Sequence, residues 1–206
     1  AMAAMHEHLA TDYGVMVCTP PYITTDPQIC LGRLMNPGMK ENGGVFNHTQ
    51  GWAVMAECMR GNGERAYEYF RANMPAAYND RAELREIEPY VQGQTTYSTF
   101  SPRAGNTRVS WLTGAAAWAY YSGSQYILGI RPELDGLRID PCIPEEWDGF
   151  TASRRFRGKQ VNITVQNPDG NNRGVRSLTL NGQTLTDDLI AAELLEEVNE
   201  VVVVMG

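Results

Sequence analysis

The sequence lacks the features that mark many function classes. It sets 17 Lys and Arg against 24 Asp and Glu, a net charge of −7. A nucleic-acid phosphate backbone needs a basic face, so nucleic acid is excluded as the expected partner. No apolar run approaches the roughly 20 residues that a membrane helix needs. The opening Ala1-Met2-Ala3-Ala4-Met5 has no basic start and no long apolar stretch, so it does not read as a signal peptide. The four cysteines, Cys18, Cys30, Cys58 and Cys142, show no CxxC and no metal-ligand spacing. Reduced thiols in a cytoplasmic chain are expected, with paired disulfides left open, and no metal or organic cofactor is expected. There is no GxSxG, no GxGxxG after a strand and no Walker loop. His6 and His8 stand two apart without support, which does not make a metal site.

A packed core is affordable. The hydrophobic fraction is 43%, with four Trp and ten Tyr, which argues against disorder. A length of 206 residues allows one large domain or two small ones. The first residues read as the middle of a helix, so the expectation is a piece of something longer.

The periodicity changes near residue 132. Before it the long segments are helical: Ala3 to Thr11, Gly44 to Met59, Glu64 to Met74 and Thr113 to Leu128. The second and third make a helical hairpin broken by Gly61-Asn62-Gly63. The last is apolar nearly all round and is expected to be buried. After residue 132 the period is two. Leu137 to Asp140, Val161 to Val165 and Val175 to Leu180 alternate, and Val201 to Val204 is a more continuous strand. Asn181-Gly182 is a strong hairpin turn. The fold class expected is therefore α+β, with helices in residues 1–132 and an antiparallel β-sandwich in residues 133–206.

Two segments look chemical. Lys40-Glu-Asn-Gly-Gly-Val-Phe-Asn-His48-Thr-Gln50 packs polar side chains onto glycine-rich backbone just before a helix. That pattern suits sugar and anion recognition. On composition alone, an ordinary helix-entry loop with a satisfied His48 is the commoner meaning of such a stretch. Ser110-Trp-Leu-Thr113-Gly114-Ala starts a helix, where free N–H groups and the positive end of the dipole favour an anion. A plain Thr cap is the alternative. Between them lie Glu88 and Gln94. Glu88 has the chemistry of a general base, or of an ion-pair partner for Arg85. Gln94 has the chemistry of a sugar ligand.

Taken together, KENGGVFNH at residues 40–48, EPYVQGQ at 88–94, SWLTGAAAW at 110–118, YILGIRPELDGLRIDPCIP at 126–144 and FRG at 156–158 resemble the cellobiose/chitobiose phosphorylase family of inverting glycoside phosphorylases. The resemblance implies that residues 1–132 are the last helices of an (α/α)6 barrel and that residues 133–206 are a jelly-roll-like cap. It implies phosphorolysis of a β-linked disaccharide to an α-sugar 1-phosphate, with inorganic phosphate as co-substrate. His48, Thr113 and Gly114 carry over as phosphate ligands; Lys40, Gln94 and Glu41 carry over to the acceptor sugar. The family's general acid is an Asp upstream of this stretch. Neither Asp12 nor Asp26 stands in a matching context, so the chain alone is expected to be inactive without the rest of the barrel. A homodimer is implied. The stretch from Gln28 to Met39 departs from typical cellobiose phosphorylases, with Leu31 and Met35 in place of acidic and aromatic residues, which points away from cellobiose itself. Two rival readings stand beside it: a hydrolase on the same barrel, with Glu88 as base, and a carbohydrate-binding module built on residues 133–206.

Overall fold

A computed structural model describes residues 1–24, 28 and 34–206. Asp26, Cys30 and Leu31 lie outside the described residues. The chain divides into two compact units, residues 1–56 with 68–121 and residues 57–67 with 122–206. Helices and several small sheets make up the fold, which is α+β.

In the first unit, α1 (Met2–Leu9) runs into a short hairpin, β1 (Ala10–Thr11) against β2 (Gly14–Val15). The helix therefore stops earlier than its apolar spacing suggests. The Thr11 hydroxyl donates to Gly14 O at 2.7 Å and closes the turn. The segment expected as one helix from Gly44 opens instead as β3 (Val45–Phe46), followed by α2 (Asn47–Met59). Val45 is β-branched and fully buried, a side chain that suits a strand. β3 pairs with β4 (Thr95–Thr96), and β4 with β5 (Thr107–Arg108), in an antiparallel three-stranded sheet.

α3 (Gly63–Asn73) is capped by Asn62, whose Oδ1 accepts the Arg65 N–H at 3.1 Å. Glu64 in its first turn and Arg71 in its last match the helix dipole. Pro75 cannot continue the helix, and the chain passes through a 3-10 stretch, Pro75–Arg81, into α4 (Ala82–Arg85). The expected helix at 113–128 splits into α5 (Thr113–Ser122) and a π-helical turn, Gly123–Ile127. α5 is not buried all round as expected. Ala115 is buried, while Tyr120 is 69% exposed.

In the second unit, β6 (Ile130–Pro132), β7 (Gly136–Ile139) and β12 (Leu189–Ala191) form one antiparallel sheet, ordered β12-β7-β6. β8 (Gly149–Phe156), β9 (Lys159–Gln166), β10 (Ser177–Leu180), β11 (Gln183–Leu185) and β13 (Val198–Val204) form another, ordered β11-β10-β13-β9-β8. Period two is visible in burial: Val161, Ile163 and Val165 face in, as do Val201 and Val203. The expectation of a wholly antiparallel arrangement fails at one place. β9 and β13 pair in parallel from Gln160↔Val198 to Gln166↔Val204. Residues 167–197 separate the two strands, long enough for the crossover that a parallel pair needs.

Two tight hairpins of the second unit each use two residues with positive φ. Asn181 (50°) and Gly182 (83°) join β10 to β11, and Arg157 (51°) and Gly158 (83°) join β8 to β9. That is the twist-matched turn for right-handed strands. The FRG at residues 156–158 is therefore a hairpin corner in this fold.

Candidate functional site

The geometry centres on His48. The antiparallel sheet of β3, β4 and β5 carries it there. The Asn47 N–H donates to Gln94 O at 2.9 Å, and the Gln94 N–H is shared between Arg108 O at 2.9 Å and Val109 O at 3.0 Å. Gln94 thus stands across the sheet from the residue before His48. Behind this edge is a hydroxyl ladder in full burial. The Thr95 hydroxyl donates to Val45 O at 3.1 Å, the Thr96 hydroxyl donates to Asn47 Oδ1 at 3.2 Å, and the Thr96 and Thr107 hydroxyls lie 2.9 Å apart. Buried polar groups that are paired fix one arrangement strongly.

Several polar residues of the 36–52 loop are structural. Gln50 is 2% exposed; its amide accepts the Val15 N–H at 2.7 Å and donates to Val15 O and Phe46 O. Asn42 is fully buried. Its Oδ1 accepts the Tyr22 N–H at 2.6 Å, and its Nδ2 donates to Tyr22 O at 3.0 Å and Met35 O at 2.8 Å. Asn47 is buried in the ladder. Of the candidate residues in this stretch, Lys40 and His48 are half-buried and Glu41 is exposed.

His48 sits in the first turn of α2, and its ring faces the start of α5. A Cβ placed on Gly114 would lie 3.6 Å from both Cε1 and Nδ1 of His48. At that helix start the Ala116 N–H reaches Leu112 O at 3.1 Å. The N–H groups of Thr113, Gly114 and Ala115 precede that first intrahelical bond and leave through the helix end. The structure brings the His48 imidazole against Gly114 at a helix N-terminus, with Thr113 beside Gly114 in the chain. The arrangement can hold an anion. α2 and α5 approach closely because Gly51 has no side chain; a Cβ there would lie 2.9 Å from Trp118 O.

An aromatic cluster holds the imidazole. The His48 ring is 5.9 Å from Trp52 and 6.1 Å from Trp118; Trp52 and Trp118 meet edge-on at 5.9 Å, and Trp118 meets Tyr121 at 5.7 Å. Trp52 was not among the candidate site residues, although its place four residues after His48 on a helix is a usable signal. Trp118 and Tyr121 lie in the helix expected to be buried, and here they buttress the site.

Lys40 and Glu41 are joined to this group through the loop backbone. Lys40 holds a positive φ of 45°, and its carbonyl accepts the Gly44 N–H at 3.1 Å. Among the described residues, no hydrogen bond or ion pair ties either side chain to His48, Gln94 or Thr113. Gln94 has its side-chain Oε1 buried and unpaired, a group that costs free energy until a donor meets it.

Glu88 does not meet Arg85. Its carboxylate accepts the Trp111 indole N–H at 2.9 Å. Its own backbone N–H and that indole hold the carboxyl below the usual carboxylate range. Arg85 is 3% exposed and lies 5.4 Å over the Tyr78 ring; burial pulls it below the usual guanidinium value.

Residues 1–129 match the model of the glycosyl hydrolase 94 superfamily, catalytic domain. The chain belongs to the glycosyl hydrolase 94 superfamily. Residues 130–171 match the glycosyl hydrolase family 65, C-terminal domain. Among the relatives of this superfamily member are two N,N'-diacetylchitobiose phosphorylases. That of Vibrio furnissii is 38% identical and that of Vibrio proteolyticus 39%, each over the whole chain and 26% of the relative. A solabiose phosphorylase of Paenibacillus borealis is 32% identical over 91% of this chain and 24% of its own. The chain thus spans about a quarter of the length of these curated relatives. As the sequence motifs implied, these three relatives are named as disaccharide phosphorylases. No helix among the described residues is long and apolar enough to cross a membrane.

Proposed function

We propose that the chain is the C-terminal part of an inverting disaccharide phosphorylase and supplies its phosphate pocket. The observation that carries this is the His48 ring facing the free helix end at Thr113 and Gly114. In the reaction, phosphate attacks the anomeric carbon of a β-linked disaccharide, the glycosidic bond breaks, and an α-sugar 1-phosphate leaves with a free sugar. Inverting glycoside chemistry needs a nucleophile on one face and an acid on the other. Phosphate is already charged, so its side of the site needs positioning and donors rather than a base. His48, the Thr113 hydroxyl and the Gly114 N–H provide those donors.

Lys40, Gln94 and Glu41 line the acceptor sugar, and the unpaired Gln94 Oε1 accepts from a sugar hydroxyl. The general acid, an Asp, comes from upstream residues, so the 206-residue chain alone does not turn over. Residues 1–132 are the last helices of an (α/α)6 barrel, for which the open face of α5 is support, and residues 133–206 are a jelly-roll-like cap. The enzyme is a cytoplasmic homodimer with no cofactor beyond phosphate. Its first candidate substrate is N,N'-diacetylchitobiose, the compound in the names of two relatives.

Glu88 argues against a hydrolase. A general base works best near the operating pH, whereas the Glu88 carboxyl is depressed and engaged by Trp111.

The test uses the longest native polypeptide that carries these residues. It is incubated with inorganic phosphate and a panel of β-linked disaccharides. The reading expects α-sugar 1-phosphate from one of them and no turnover without phosphate. Free sugars formed equally without phosphate would replace it with the hydrolase.

A further inference from the structure

The second unit holds a pair of thiols that the proposed reaction does not use. Cys58 lies in the last turn of α2 and is 3% exposed; Cys142 follows β7 and is 1% exposed. Both are free. Both line one cavity of about 20 Å³, room for one water-sized molecule. Arg173 clamps the two segments. Its backbone bridges to Cys142, and its guanidinium donates to Cys58 O at 3.3 Å and Met59 O at 3.2 Å. Asp140 fixes that guanidinium at 2.7 Å. The cavity has an open rim, since Met59 lines it and is 69% exposed.

The two sulfurs are inequivalent. The Cys58 S–H donates to the Cys142 sulfur, which pulls the Cys142 thiol below the usual thiol range; Arg173 adds to this, while burial opposes it. The same hydrogen bond, with burial, pushes the Cys58 thiol up. One thiol ionises first and the other stays protonated beside it, the division of labour of an attacking and a resolving cysteine.

We propose that Cys58 and Cys142 form a redox-active dithiol that a hydroperoxide converts to a disulfide tying the last turn of α2 to the segment after β7. The Cys142 sulfur attacks one oxygen of the hydroperoxide, the O–O bond breaks, and the other oxygen leaves with the Cys142 proton, as water from hydrogen peroxide or as an alcohol from an alkyl hydroperoxide, giving a sulfenic acid. The Cys58 sulfur then attacks the sulfenic sulfur. The S–O bond breaks, and the hydroxyl leaves as water with the Cys58 proton. Two thiols lose two electrons and the hydroperoxide gains them. A covalent link here joins residues already packed together within one unit, so no large rearrangement is required.

The site stands independently of the phosphorylase reading, and its test does not read activity. The longest native polypeptide is treated with hydrogen peroxide, unfolded, alkylated and digested for peptide mass spectrometry. The result expected is a Cys58–Cys142 cross-linked peptide, two hydrogens lighter than the sum of its parts and released by dithiothreitol. Alkylatable Cys58 and Cys142 disappear together. In Cys58→Ser, dimedone labels Cys142 instead. Should that variant fail to fold, the wild-type cross-link alone decides. Both thiols remaining alkylatable, Cys58 linked to a different cysteine, or Cys142 oxidised to sulfinic acid with Cys58 untouched would each overturn the proposal.

Discussion

The imidazole of His48 stands 3.6 Å from the point where a side chain on Gly114 would begin. That is ordinary contact distance, so alanine fits at residue 114 without strain, and its methyl takes the space in front of the ring. Alanine also suits a helix better than glycine. Gly114→Ala is expected to leave the melting temperature unchanged or slightly raised, while raising the Michaelis constant for phosphate at least tenfold in the full enzyme. An unchanged phosphate constant would put the anion elsewhere.

His48→Ala removes a donor and leaves Trp52 and Trp118 around a gap. Losing a charge-assisted partner of an anion costs roughly 1.5–3 kcal/mol, or about 10- to 100-fold in affinity. The loss is expected in the phosphate constant and far less in the disaccharide constant, by steady-state kinetics with each substrate varied in turn.

Asn42→Ala separates a scaffold from a ligand. Its side chain makes three hydrogen bonds to the backbone of Tyr22 and Met35, and leaving such groups unpaired costs about 1–3 kcal/mol. A lower melting temperature is expected, with weaker acceptor-sugar binding through the loosened Lys40 turn and little change for phosphate. Calorimetry on the variant, beside kinetics in the synthetic direction, tests both halves.

Glu88 gives a pH dependence. Its carboxyl is depressed in the folded state, so its contribution to stability is present above the ordinary carboxylate value near pH 4.3 and fades as pH falls through the depressed folded value. Glu88→Gln is expected to flatten the acid side of the stability profile below the ordinary carboxylate value of about 4.3. Parallel curves for wild type and variant would mean that Trp111 does not hold the carboxylate in solution.

Gly129 tests the β-rich unit. Its φ is +67°, and a Cβ there would lie 2.0 Å from Asp140 O, a backbone atom that cannot step aside. Gly129→Ala is expected to cost about 3 kcal/mol or more, seen as a large fall in melting temperature. A near-neutral result would mean that the open end of the β6–β7 pair, where Asp140 meets Gly129, yields easily.

Much of this was legible beforehand, for identifiable reasons. The Asn181-Gly182 turn was readable because few residue pairs accept two positive φ angles. The α3 boundaries were readable because Gly61-Asn62-Gly63 and Pro75 bracket it. The β3 strand was hidden inside a helical pattern, because a two-residue strand is defined by its partners and Thr95 lies far along the chain. The site divides the same way. His48, Thr113 and Gly114 stood out by residue type and motif. The structural duty of Asn42, Asn47 and Gln50 did not, because a polar side chain looks alike in sequence whether it meets a ligand or a buried carbonyl.

The sequence by itself determined the local elements and the family, because caps, turns and motif residues act over a few neighbouring positions. Only the tertiary structure decided that the His48 ring meets the start of α5, that β9 runs parallel to β13, and that Cys58 shares a cavity with Cys142. Each joins residues at least 30 positions apart. Such contacts follow from how whole faces pack and exclude water, which no local stretch of chain encodes alone.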